Sequence, residues 1–129
     1  MITEDYVSFE TAKLLAEKGV EDDCEYTGWI GESGNHYFPD DTYLDDDEMI
    51  ATQKDRKEFI PLISLQMAMK WLREVHNIQL VISPYNQIKK NWSYVINKGF
   101  TPLTQRFYSF NSYEEACEAG IRYVLENLI

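Results

Sequence analysis

Between Leu65 and Tyr85 the hydrophobic period of the chain switches from that of a helix to that of a strand, with almost nothing in between. Leu65, Ala68, Met69, Leu72, Val75 and His76 recur at helical spacing, while Gln66, Lys70, Arg73 and Asn77 fall on the opposite side. Ser64 is placed to cap the first turn, because its hydroxyl can accept from an amide the helix leaves unpaired. Asn77 suits the left-handed position that closes a helix. From there the period is two: Ile78, Leu80 and Ile82 point one way and Gln79, Val81 and Ser83 the other, and Pro84 is expected to end the strand. This helix-then-strand unit is expected to form the core.

The flanking segments are punctuated as clearly. Ser8 caps a short helix over residues 8–18 that Lys18 and Gly19 close, with Ala12, Leu15 and Ala16 on its apolar side. Glu21-Asp22-Asp23 is expected to be a solvated turn. Tyr26, Trp29, Tyr37 and Phe38 flank the turn formers Gly31 to Asn35, as in a hairpin. Asp40 to Asp55 is a polar, acidic loop, and Phe59-Ile60 a brief extended piece before Pro61. Two further strands are expected, Trp92–Asn97 and Thr104–Phe110, with a tight turn at Asn97-Lys98-Gly99. Ser112 and Glu115 form a capping box for a helix over 113–128, whose buried stripe is Tyr113, Ala116, Cys117, Gly120, Ile121, Val124 and Leu128. The sum is a single α+β domain over residues 1–129. It has an antiparallel three-stranded meander, a short N-terminal hairpin, and three helices (8–18, 65–76, 113–128) packed mainly on one sheet face.

Charge is distributed unevenly. The net charge is -10, yet residues 1–58 carry 17 acids and 5 bases, whereas residues 78–113 contain no Asp or Glu and four bases. An acidic front and a mildly basic sheet could face different partners, such as basic proteins for the front; a well-solvated front and a mostly buried sheet explain the same distribution and are the expected reading. The two cysteines, Cys24 and Cys117, are far apart and form no CxxC, as expected of reduced, structural thiols. No apolar run approaches the ~20 residues of a membrane span. Met1-Ile-Thr-Glu-Asp-Tyr6 lacks the basic start and apolar stretch of a signal peptide, which points to the cytoplasm.

Several segments occur in this order: Tyr6-Val-Ser-Phe-Glu-Thr-Ala-Lys-Leu-Leu, Pro61 leading to Ala68-Met-Lys-Trp-Leu-Arg-Glu74, Trp92-Ser-Tyr94 and Ser112-Tyr-Glu-Glu-Ala116. In this the sequence resembles a family of small uncharacterised proteins of gut Bacteroides-type bacteria and of their phages and prophages. The resemblance covers nearly the full length and rests on caps and core stripes. It implies a free-standing α+β protein of mobile-element origin, and it carries over no catalytic or binding residue.

The chemistry-bearing residues are sparse. No GxSxG, P-loop, HExxH, CxxC pair or dinucleotide fingerprint is present, and nothing calls for a cofactor or a metal. His76, ending the central helix and near Tyr85 if the strand folds back, could serve as a general base. A helix C-terminus also favours imidazolium for purely structural reasons. Asp40, Asp41, Asp45, Asp46, Asp47 and Glu48 are dense in oxygen ligands, but Tyr43-Leu44 interrupts them and the spacing is not that of an EF-hand. Trp92, Tyr94 and Tyr108 interleave with Lys89, Lys90 and Arg106, as in a sheet on which single-stranded bases stack; core aromatics and edge-strand lysines explain the same pattern. The leading expectation is a non-catalytic protein-interaction module that binds another protein through Tyr26, Trp29, Tyr37 and Phe38, since exposed Tyr and Trp commonly anchor such contacts. The alternatives are a weak single-stranded nucleic-acid binder using the 89–108 sheet and a small enzyme using His76.

Overall fold

Ser64 does what its position requires: its Oγ accepts the Met67 N–H at 3.1 Å and starts helix α3, Leu65–His76. Asn77 closes that helix in the left-handed conformation, φ 56°, and the chain leaves directly as strand β4, Ile78–Asn86. The computed structural model describes residues 1–38 and 59–129, so the acidic loop expected at about 40–55 lies outside the described residues. The chain forms two compact units, one of Met1–Asp5 with Ser64–Ile129 and the other of Tyr6–Ile63. Among the described residues the class is α+β, with four helices and two antiparallel sheets of three and four strands.

In the larger unit β4 pairs antiparallel with β5, Asn91–Lys98, which pairs in turn with two short strands, β6 (Thr101–Pro102) and β7 (Phe107–Phe110). The register sets Leu80 against Ile96 and Ile82 against Tyr94, so these side chains share one face. Helices α3 and α4 (Tyr113–Asn127) pack on this sheet. Leu65, Ala68, Met69, Trp71, Leu72, Ile78, Tyr94, Ile96, Ala116, Cys117, Ile121, Val124 and Leu125 are the buried hydrophobic residues there. The buried side of α3 thus turns toward Trp71, and Val75, expected inside, is 49% exposed.

The meander departs from expectation in its third strand. Residues 104–110 read as one strand, but β7 begins only at Phe107, and residues 103–106 between it and β6 lie outside the ladder against β5. The Ile96 carbonyl is taken by the N–H groups of Leu103 and Thr104, and the Ile96 N–H by Thr104 Oγ1. Further along, three steps on β7 face two on β5, a bulge that leaves Ser109 at φ 75°. Pro84 does not end β4. It lies on an edge strand, where its missing N–H is tolerated, and pairing resumes at Asn86 opposite Asn91 after a second irregularity.

Helix α4 begins at Ser112, whose Oγ accepts the Glu115 N–H at 3.0 Å. The Glu115 carboxylate reaches one residue further back than a capping box predicts and accepts the Asn111 N–H at 3.2 Å. Gly120 brings this helix close to β4: a Cβ there would sit 2.8 Å from Leu80 Cδ2 and 3.1 Å from Cγ.

The smaller unit is built on α1, Phe9–Glu17, capped by Ser8 through the Thr11 N–H at 3.3 Å. Gly19, at φ 84°, turns the chain into α2, Val20–Asp23, one helical turn where a solvated loop was expected. The hairpin expected around residue 33 is present as β1 (Trp29–Ile30) and β2 (His36–Tyr37), and β3 (Ile60–Pro61) adds to the other side of β1. Of the three helices expected on one sheet face, α1 instead belongs to this unit and packs against β3. Val7, Phe9, Thr11, Ala12, Leu15, Val20, Ile30, Leu62 and Ile63 are buried.

Candidate functional site

The hairpin places its four singled-out aromatics on two sides. Trp29 and Tyr37 are register partners and so share a face, with Tyr26 edge-on to Trp29 at 6.3 Å between centroids and Tyr37 stacked on Phe59 at 4.8 Å. Phe38 turns to the other side, where its ring covers Gly28. Tyr26 and Phe38 are exposed, Trp29 and Tyr37 partly buried. The same strand pair buries Ile30 on the face opposite Trp29, which fixes the orientation of the aromatic side.

The residues read as a base-stacking sheet do not converge. Trp92 and Tyr94 lie on the helix-covered face, Trp92 against Tyr113 at 5.5 Å and Tyr94, 4% exposed, against Phe107 at 4.9 Å. Arg106 and Tyr108 belong to the opposite face. There Arg106 Nη1 donates to Ser93 Oγ at 3.0 Å, and Tyr108 contacts Tyr85 at 4.3 Å between centroids. Lys89 and Lys90 sit in the β4–β5 turn, which Asn86 holds by accepting the N–H groups of Ile88 and Lys89 at its Oδ1. A depression of about 420 Å³ opens beside that turn, lined by Tyr85, Lys90 and Trp92 among others. Only Lys90 and Trp92 of the six proposed nucleic-acid contacts line it.

His76 packs edge-on against Trp71 at 4.7 Å, and its Nε2 is buried with no hydrogen-bond partner among the described residues. The strand carries Tyr85 away from it: seven steps from Ile78 at ~3.3 Å each amount to about 23 Å. Histidine and tyrosine are therefore not a catalytic pair. Cys24 and Cys117 are not joined in a disulfide, and Cys117 is fully buried. Burial pushes its thiol up to about 11, against an opposing hydrogen bond with Tyr113. No three of His, Cys, Asp and Glu cluster as a metal site among the described residues. No helix there is long and apolar enough to cross a membrane.

A third surface did not stand out in the sequence. Along one flank of α4, Glu115, Glu118, Ala119, Arg122, Tyr123 and Glu126 border a groove of about 450 Å³ whose floor includes Tyr94 and Phe110. Phe110 lies 5.4 Å from Tyr94, Tyr94 stacks on Phe107, and Phe107 contacts Tyr123 at 5.1 Å, so the rings form one continuous cluster from strand to helix. Burial, and then the nearby Tyr123, raise the Tyr94 phenol above its usual value, as expected for a hydroxyl held in an aromatic floor. The signal was available. Those six helical positions recur at i, i+3, i+4, i+7, i+8 and i+11, a second stripe beside the buried one, of which the capping box accounts only for Glu115.

No family model, curated protein or solved structure matches this chain.

Proposed function

We propose that the protein is a non-catalytic interaction module that binds another protein through the Tyr26–Trp29–Tyr37 face of the hairpin. The observation that carries this reading is the arrangement of those rings. Trp29 and Tyr37 are held side by side by strand register, Tyr37 is backed by Phe59, and Tyr26 extends the patch into solvent. Rings fixed in this way lose little side-chain entropy on binding, which is why Tyr and Trp dominate the energetic centres of interfaces. The separation of His76 from Tyr85 weighs against the enzyme reading. The division of the Lys89–Tyr108 residues between two sheet faces weighs against the nucleic-acid reading.

The test is affinity capture from a host lysate treated with nuclease, followed by titration of the captured protein, purified, against variants. Tyr26→Ala and Trp29→Ala should weaken binding at least tenfold, the cost of truncating an interface anchor being about 2 kcal/mol. Unchanged affinity in folded Tyr26→Ala and Trp29→Ala would refute this assignment.

A further inference from the structure

The groove along α4 combines two properties. Its floor is apolar, made by Tyr94, Phe110, Ala119 and Tyr123, and its rim is acidic, with Glu115, Glu118 and Glu126 against one base, Arg122. A floor of aromatic rings suits the methylene stem and the cation of Arg or Lys, through apolar contact and attraction to the ring quadrupole. Carboxylates at the rim are where the charged heads would end. Ala119 keeps the helix wall low between them. Arg122 Nη2 lies 3.2 Å from Glu126 Oε1, with 44% and 46% of the two side chains exposed. An ion pair so exposed is weak, and an incoming guanidinium can replace Arg122 in it. The net charge of -10 adds long-range attraction for cations.

We propose that this groove seats a basic segment of a partner protein, with Arg or Lys stems laid on Phe110 and Tyr123 and their heads paired with Glu118 and Glu126. Arg122 acts as a built-in competitor for Glu126. The site lies on α4 and β7 and does not depend on the hairpin reading.

The test is fluorescence anisotropy with the full chain and three labelled peptides, in which serine alternates with arginine, lysine or glutamate. The arginine and lysine peptides should bind, with affinity falling as salt rises, and the glutamate peptide should not. Glu118→Gln with Glu126→Gln preserves shape and should weaken arginine-peptide binding about fivefold, the combined effect of two exposed charge pairs. Ala119→Arg should abolish binding by filling the groove and reversing its charge, with circular dichroism confirming the fold. Arg122→Gln should tighten binding about two- to threefold by freeing Glu126. Tyr26→Ala should leave it unchanged, which separates this surface from the hairpin. Equal binding of the glutamate peptide, or arginine-peptide affinity indifferent to the charge and Ala119 changes, would overturn the proposal.

Discussion

Gly120→Ala pits local helix propensity against tertiary packing at one atom. In an isolated helix interior the change is favourable by about 1 kcal/mol, because glycine loses more backbone freedom than alanine. Here the new methyl would collide with Leu80 Cδ1, its nearest neighbour, and lie 2.8 Å from Cδ2 and 3.1 Å from Cγ. Carbon atoms prefer about 3.5–4.0 Å, so Leu80 must retreat by roughly 1 Å or change rotamer. Overpacking of that order costs about 1–3 kcal/mol. The net expectation is a loss of about 1 kcal/mol in the stability of the unit formed by residues 1–5 and 64–129. Leu80→Ala removes the obstacle, and in that background Gly120→Ala should stabilise by up to about 1 kcal/mol. The coupling between the two sites is then about 2 kcal/mol, well beyond what independent sites show. Urea unfolding followed by tryptophan fluorescence measures it, in a Trp29→Phe background so that Trp71 and Trp92 report their own unit. If Gly120→Ala stabilises the otherwise native chain, or if its effect is the same with and without Leu80, the close approach of α4 to β4 is not as described.

Two other expectations bear on the smaller unit and on pH. Gly28→Ala should destabilise the hairpin by about 2 kcal/mol, because its Cβ would meet the Tyr37 carbonyl at 2.7 Å, a backbone atom that cannot move aside; amide exchange at Trp29 and Tyr37 would show the opening, and unaltered protection would contradict it. Cys117, ordinarily near 9.0, is held at about 11 by burial, so unfolding releases a thiol that ionises more readily than the folded one. The stability this provides is fully present below pH 9 and is lost as pH rises from 9 through 11, by up to about 2 kcal/mol. Cys117→Ala should lose less stability over that interval in denaturant titrations, and identical pH profiles would remove Cys117 as the cause.

Much of the fold was legible because it is written in local terms. Ser8, Ser64 and Ser112 cap helices through amides three residues on, Asn77 takes the left-handed position, and Ile78, Leu80 and Ile82 alternate with Gln79, Val81 and Ser83. Each of these signals spans fewer than eight residues and depends on backbone geometry that any tertiary setting must respect. The turn at Gly31–Asn35 was readable for the same reason, its bonds being internal to the loop.

What tertiary structure alone decided begins where a residue's role depends on distant neighbours. The apolar positions of α3 admit two orientations, and packing chose the one that buries Trp71 and exposes Val75. Ile96 accepts the N–H groups of Leu103 and Thr104 and donates to Thr104 Oγ1, and that diversion delays to Phe107 a strand expected from Thr104. The sequence placed aromatics and charges along the chain. Which of them share a face followed from strand register: it put Trp92 and Tyr94 on one side and Arg106 and Tyr108 on the other, and joined Tyr94 and Phe110 to the acidic flank of α4. Caps and periodicity are fixed over a few residues, whereas a binding surface is assembled by contacts between segments far apart in sequence, which only the folded chain brings together.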